Sequence, residues 1–202
     1  NVKPGQFFEV SIPKFGEAPI SVSGIGEDYV DLTIRKVGKV TNEVFTKYKG
    51  DKLFLRGPYG NGFDVENYKG REVVIVAGGT GLSPVKGIVD YFSKNPQDAT
   101  STRVIAGFKS PKDMLFKEDM KEWEKNINFT LTVDSAEEVY EGNVGLVTKY
   151  IPELKFEDMD TAQVIVVGPP MMMKFTVAEF LKLGMKEENI WISHERKMCC
   201  GL

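Results

Sequence analysis

The chain has 202 residues, 42% of them hydrophobic and 27% charged, with a net charge of −3 and a pI near 5.4. That length holds one large domain or two of about 100 residues, and the composition supplies enough apolar side chains for real cores. The mildly acidic balance argues against a nucleic-acid partner, and the longest apolar runs, residues 73–77 and 164–167, fall far short of the ~20 residues a membrane helix needs.

No signal peptide opens the chain, so the expected location is the cytoplasm. Residues 1–66 read as β-rich. Phe8, Val10 and Ile12 alternate with Glu9 and Ser11, while Val30, Leu32 and Ile34 alternate with Asp31, Thr33 and Arg35. Alternation with period two marks half-buried strands. Leu53, Phe54 and Leu55 lead into Arg56-Gly57-Pro58-Tyr59-Gly60, and Pro13, Gly16, Gly24, Gly26 and Gly50 punctuate the run. Several short strands with such turns predict a small antiparallel β-barrel. One short helix interrupts it, with Thr41 placed to cap it and Val44, Phe45 and Tyr48 on one side.

From residue 71 the rhythm changes. Val73, Val74, Ile75, Val76 and Ala77 run without a polar break, which suits a parallel strand covered on both faces. Gly78-Gly79-Thr80-Gly81 follows, and Pro84 opens a helical spacing at Val85, Ile88, Val89 and Phe92. The glycines therefore stand between a strand and a helix N-terminus, where backbone N–H groups can bind a phosphate. Taken alone, the same residues also make an ordinary glycine turn. Next come a strand at 103–108, a helix near 113–125 with Phe116, Met120 and Trp123 at helical spacing, and a strand at 128–133. A helical stretch at 146–150 precedes a fourth strand at 164–167. A helix over 170–183 then turns Met173, Val177, Phe180 and Leu181 inward and ends at Gly184. Ile190, Trp191 and Ile192 make a fifth strand. Strand–helix alternation over 71–195 specifies an α/β domain with a doubly wound parallel sheet.

The start at Asn1 without a methionine, and the stop just after the only two cysteines, lead us to expect a fragment of a longer chain with an N-terminal strand left out. Cys199 and Cys200 are adjacent and poorly placed to bridge each other, so they are free thiols or the first part of a metal site. His194, the only histidine, receives no proton-transfer role, and no Ser-His-Asp order, carboxylate pair or zinc motif is present.

A barrel followed by a parallel sheet, joined by GPYGNGF and continued by AGGTGLSP, resembles the ferredoxin–NADP reductase superfamily over essentially the whole chain. In that family the barrel carries FAD and the sheet domain carries NAD(P)H. Pro19, Ile20, Ser21, Val22 and Ser23 resemble its flavin segment, in which a hydroxyl lies near flavin N5; the resemblance assigns that role to Ser21. Ala18 stands where an arginine is common. Thr33, Ile34, Arg35, Lys36, Val37, Gly38, Lys39, Val40 and Thr41 match the strand and turn that hold the flavin and its pyrophosphate. Their cations and helix N-terminus suit two phosphates. Gly78, Gly79, Thr80 and Gly81 resemble the nicotinamide-nucleotide loop, with Thr80 between pyrophosphate and nicotinamide. Gly107 and Lys109 end the second strand of the sheet and Asp134 ends the third, where open α/β sheets bind ligands. Relatives that take NADPH often present Ser-Arg at the third-strand position, so Asp134 leans the reading to NADH. Gly168, Pro169, Pro170 and Met171 resemble the Cys-Gly-Pro-Pro-x-Met turn that packs on the nicotinamide, with Val167 in place of the cysteine.

The last residues, 195–202, resemble the tail of electron-transfer subunits of dihydroorotate dehydrogenase, anaerobic sulfite reductase and hydrogenase. There Cys200 would be the first ligand of a 2Fe–2S cluster whose other ligands lie further on. The resemblance thus implies a flavoprotein that exchanges electrons between NAD(P)H, FAD and a 2Fe–2S cluster, serving a partner subunit of hydrogenase, sulfite reductase, dihydroorotate dehydrogenase or ferredoxin type. Two alternatives stay open: a free-standing ferredoxin or flavin reductase without a cluster, and a non-catalytic nucleotide-binding regulatory subunit.

Overall fold

The computed structural model describes residues 2–136 and 140–193. The first unit is a barrel-like antiparallel sheet of four strands, β1 (Phe7–Ile12), β2 (Gly16–Ile25), β3 (Val30–Leu32) and β4 (Phe54–Tyr59), in the order β3-β2-β1-β4. β2 runs longer than the others and takes in the whole segment from Pro19 to Ser23. β3 is shorter than the alternation predicts. Its register with β2 shifts between Val22 and Gly24, and Thr33 leaves the ladder to donate its hydroxyl to Ser23 Oγ at 2.8 Å.

Helix α1 (Lys39–Lys47) interrupts the sheet. Its N-cap is Gly38, not Thr41. Thr41 sits in the first turn and reaches back instead: Oγ1 accepts the N–H of Val37 at 3.1 Å and of Gly38 at 3.0 Å, and donates to Gly38 O. Val40 and Thr41 are the buried side chains of the helix, and Phe45 faces outward at 52% exposure. The inward side thus keeps half-buried Val44 and Tyr48 beside Val40 and Thr41, and leaves out Phe45 of the three expected residues.

The second unit is a six-stranded parallel sheet. Its strands are β5 (Glu72–Gly78), β6 (Ser101–Phe108), β7 (Asn128–Val133), β8 (Asn143–Val144), β9 (Gln163–Val167) and β10 (Ile190–Ile192), ordered β10-β9-β5-β6-β7-β8. The two-residue β8 is an addition to the five expected strands. Helices α2 (Leu82–Lys94), α3 (Lys117–Asn126) and α4 (Pro170–Lys182) cover the faces. α3 starts later than predicted: a 3-10 turn at Pro111–Asp113 comes first, and Phe116 adopts a left-handed conformation (φ 56°) just before the helix. The stretch before Pro152 is a 3-10 turn, Val147–Tyr150.

The unbroken apolar run of β5 is explained by burial on both faces. Val73, Ile75 and Ala77 pack with Leu82, Val85, Ile88 and Phe92 of α2 and Met120 and Trp123 of α3. Val74 and Val76 pack with Val147, Ile151, Met173 and Phe180 on the other face. In α4 the buried stripe is Met173, Thr176 and Phe180, one helical face, whereas Leu181 is turned out.

The two sheets meet where β2 lies against α2. Pro4 fits against Gly87 in the middle of α2, and the Phe63 N–H donates to Pro4 O at 2.6 Å. The strand that carries residues 19–23 and the helix that follows the glycine turn are therefore neighbours.

Candidate functional site

β5 opens the parallel sheet. The chain first builds outward through β6, β7 and β8, then returns to lay β9 and β10 on the other side of β5. The carboxyl ends of β5 and β9 are thus the point where strand order reverses, and open α/β sheets bind ligands in the crevice at such a point.

Two glycine turns line it. After β5, Gly79–Gly81 forms a 3-10 turn that runs directly into α2, which starts at Leu82 and so two residues before Pro84. After β9, Gly168 and Pro169 lead into α4. The turns touch backbone to backbone: a Cβ on Gly81 would come within 2.5 Å of Val167 O, and one on Gly168 within 3.1 Å of Gly78 N. A Cβ on Gly78 would overlap the thioether of Met172. Gly79 differs. Its φ is +57° and a Cβ there would meet nothing within 4 Å, so this backbone faces open space. The first turn of α2 carries no acidic residue, and Ser83 Oγ is buried there without a hydrogen-bond partner among the described residues. A helix N-terminus that is open, free of acids and fronted by glycine fits the diphosphate of a dinucleotide. Thr80 is exposed on the same turn.

The outer part of the crevice lies at the ends of β6 and β7. Lys109 and Asp134 are exposed neighbours there, with Asp134 N–H donating to Phe108 O at 2.8 Å and Ser135 N–H to Lys109 O at 3.2 Å. Gly107 has another explanation: a side chain there would collide with Val147 beneath it, so its lack of a Cβ serves core packing. Pro170 and Met171 are exposed at the start of α4. Met171 is 59% exposed, whereas Met172 is half-buried against Gly78 and Gly168. The residue that lines the two turns is therefore Met172, which sequence reasoning passed over for its neighbour; the final Met of the Cys-Gly-Pro-Pro-x-Met pattern was the available signal. Val167 is buried in the core, so the position where a cysteine is common presents its carbonyl, not its side chain, to Gly81.

On the antiparallel sheet, Pro19 is exposed, Ile20 and Ser21 are half-buried, and Val22 and Ser23 are buried. Ser23 Oγ donates to Asp31 O at 3.1 Å and accepts from Thr33, which ties it into the β2–β3 pair. Ser21 stands opposite Phe7, and Phe7 opposite Tyr59, so the three form one row across β2, β1 and β4. The Phe7 and Tyr59 rings lie 5.7 Å apart. Arg56 adds charge to this face: it donates to Glu17 Oε2 at 2.7 Å and to Tyr59 Oη at 2.8 Å. That bond holds the Glu17 carboxyl below its usual range and, with the one to Tyr59, raises the guanidinium. Arg56 and Tyr59 were not anticipated as site residues, although Tyr59 belongs to the joining motif GPYGNGF and Arg56 immediately precedes it.

Thr33 and Ile34 are half-buried, and Arg35, Lys36, Gly38 and Lys39 are exposed around the N-terminus of α1, whose first turn also lacks acids. A Cβ on Gly38 would meet nothing within 4 Å. This open, cationic helix start fits the diphosphate of a flavin dinucleotide. Val40 and Thr41 turn their side chains inward, so only their backbone can take part. No group of metal-ligating side chains occurs among the described residues, and Cys200 and His194 lie outside them. No described helix is long and apolar enough to cross a membrane.

Residues 75–178 match the family model described as the oxidoreductase NAD-binding domain. The chain belongs to this family of NAD-linked flavoprotein oxidoreductases, in the branch of electron-transfer subunits. It is 32% identical to sulfhydrogenase 1 subunit gamma of Pyrococcus furiosus, over 99% of this chain and 70% of that protein. It is 31% identical to the electron transfer subunit of dihydroorotate dehydrogenase B (NAD(+)) of Clostridium perfringens, over 100% of this chain and 75% of that protein. Among solved structures, an NADH-dependent reduced ferredoxin–NADP oxidoreductase superposes with a TM-score of 0.76 at 25% identity, covering 100% of this chain and 71% of that one.

Proposed function

We propose that this chain is the cytoplasmic NADH-linked subunit of a redox complex, moving electrons between the nicotinamide and a partner subunit through FAD and a 2Fe–2S cluster. The observation that carries the reading is the pair of glycine turns in backbone contact at the strand-order reversal, the first of them leading into the helix against which β2, the strand of Ser21, lies. Bound FAD supplies the exchange between two-electron hydride chemistry and single-electron steps.

The residues divide the remaining work. The N–H groups at the start of α2, with Gly78, Gly79, Thr80 and Gly81, take the pyrophosphate of the nicotinamide nucleotide. Asp134 accepts from ribose hydroxyls and repels a 2′-phosphate, which favours NADH over NADPH. Gly168, Pro169, Pro170 and Met171 border the nicotinamide. Arg35, Lys36, Gly38, Lys39 and the α1 N-terminus hold the flavin diphosphate, and the Ser21 hydroxyl orients flavin N5. Cys200 is the first cluster thiolate. The similar hydrogenase and dihydroorotate dehydrogenase subunits point to a partner of that kind.

The test is an anaerobic absorbance titration of the full-length protein, first with NADH and then with NADPH. Flavin bands that bleach with NADH, leaving a broad iron–sulfur absorbance, are the expected result. Bound flavin that neither nucleotide bleaches would overturn the catalytic reading in favour of a regulatory subunit, and a protein that retains no flavin would overturn the assignment of the antiparallel sheet.

A further inference from the structure

The thioether of Met172 occupies the space between the last residue of β5 and the first residue after β9. A Cβ on Gly78 would overlap Met172 Sδ, and one on Gly168 would lie 3.0 Å from both Sδ and Cε. The side chain is half-buried and also packs against the core on that face of the sheet, alongside Val74, Val76 and Val166. Its neighbours on α4 behave differently, Met171 being turned to solvent and Met173 into the core. Both glycines give up their side chains to admit one methionine. Pro169 Cδ of the second turn also approaches the first, 3.1 Å from a Cβ on Gly78, but the Met172 thioether is the group that bears on both Gly78 and Gly168.

We propose that Met172 is a positioning residue: its thioether is the wedge that sets the spacing of the two glycine turns, and through them the placement of the nicotinamide ring. This rests on the crevice being the nicotinamide site, as argued above. In the proposed function the diphosphate is held at the α2 N-terminus, which follows Gly79–Gly81 in the chain, whereas the wedge bears on Gly78 and Gly168. Removing the wedge therefore changes where the ring sits more than how tightly the nucleotide is held. A displacement approaching 1 Å lowers a transfer rate by up to about 100-fold. Leucine has nearly the volume and flexibility of methionine, and such swaps are well tolerated.

The experiment uses the full-length flavoprotein as wild type, Met172→Ala and Met172→Leu. Stopped-flow reduction by NADH separates the limiting rate from the nucleotide dissociation constant, and amide hydrogen exchange is followed in peptides covering residues 78–81 and 167–169. For Met172→Ala the expected result is a limiting rate about 10–100-fold lower, a dissociation constant within about 3-fold, unchanged flavin content, and faster exchange at both turns. Met172→Leu restores rate and exchange. Unaltered exchange at the turns in Met172→Ala would overturn the wedge, as would equal losses of flavin and nucleotide affinity in both variants, the mark of a purely structural residue. Should NADH fail to reduce even the wild type, the crevice assignment falls and the positioning role with it, while the exchange data still report whether Met172 holds the turns.

Discussion

Gly79 and Gly81 are two residues apart in one turn, yet the structure requires glycine at each for a different reason, and alanine substitutions separate them. At position 81 the backbone is helical (φ −64°), which any residue adopts, so alanine costs nothing in conformation. Its Cβ, however, would lie 2.5 Å from Val167 O and 2.8 Å from Val167 C. Ordinary contact begins at 3.4 Å, so the β5 and β9 turns must part by about 0.9 Å, the difference between 3.4 and 2.5 Å. Backbone cannot rotate away as a side chain does, and overpacking of this kind costs about 1–3 kcal/mol. At position 79 there is no neighbour to displace, but φ of +57° costs an alanine about 1–2 kcal/mol, and its methyl stands in the crevice. Urea unfolding should thus report losses of similar size for Gly79→Ala and Gly81→Ala. Stopped-flow reduction by NADH should not. Gly79→Ala raises the nucleotide dissociation constant with the limiting rate kept, whereas Gly81→Ala lowers the limiting rate by about 10–100-fold because the two turns are spread. A Gly81→Ala protein with a wild-type limiting rate would refute the claim that backbone contact between the turns places the nicotinamide.

Other tests concern what holds the site in place. Lys86 on α2 bridges Asp90 at 2.7 Å and Asp119 of α3 at 3.0 Å, and Asp90 also accepts from Trp123 Nε1. Burial pulls its pKa down, but the two carboxylates outweigh burial and raise it, so its stabilisation is complete below the unfolded value of about 10.4 and is lost as pH rises through the higher folded one. Lys86→Met should cost about 1–3 kcal/mol near neutral pH, read by thermal unfolding, with the difference from wild type vanishing at strongly alkaline pH. Glu72 is buried and accepts from Arg103 at 2.8 Å and from the N–H groups of Glu157 and Asp158. Glu72→Ala should destabilise by about 3–5 kcal/mol in urea, and the Glu72→Leu, Arg103→Met pair by less, because no lone charge then stays buried. Burial raises the Glu9 pKa, aided by Glu17 and opposed by Arg56. A raised carboxyl stabilises the fold only while protonated, so Glu9→Gln should increase the urea midpoint at pH 7, and the gain should disappear as pH falls below the carboxylate range.

How far the sequence spoke for itself depended on whether neighbours were needed to interpret it. The run from Val73 to Ala77 announced a strand buried on both faces because burial leaves no position for a polar residue, and β5 has that environment. The three glycines after it, Gly78, Gly79 and Gly81, marked a tight strand-to-helix passage. Their separate duties were hidden, because Gly81 answers to a carbonyl more than 80 residues away. Gly107 shows the converse: a glycine at a strand end reads as a ligand contact until Val147 is seen beneath it. Among Met171, Met172 and Met173 the sequence offers three identical residues, and one position on a helix is a rotation of about 100°. Helical periodicity alone does not choose among them; the final Met of the glycine–proline motif points to Met172, and the start of α4 at Pro170 turns that residue to the two turns. Thr41 misled for a local reason. A threonine before a helical stripe looks like an N-cap, but Gly38 takes that place and Thr41 bonds back to it from inside the first turn.

The distribution of these residues also bears on why the site contains so few titratable groups. Around the crevice the structure places glycines, prolines, a methionine and a threonine, with Lys109 and Asp134 only at its outer end. A reaction that moved protons between substrate and protein would need a group poised near neutral pH within hydrogen-bond reach. Hydride exchange between two bound cofactors needs instead that their reacting atoms be held close and that water be kept out. Backbone in tight contact meets the first need better than long side chains, since it has no rotamers to order. The parallel sheet makes such backbone available where strand order reverses: β5 and β9 are hydrogen-bonded neighbours along Val73–Ala77, so the turns that leave them start from fixed points. Electrostatics enters at the periphery, where Arg35, Lys36 and Lys39 surround one helix start and the acid-free first turn of α2 offers another. In the proposed function, charge therefore anchors the distant phosphates, and packing fixes the rings.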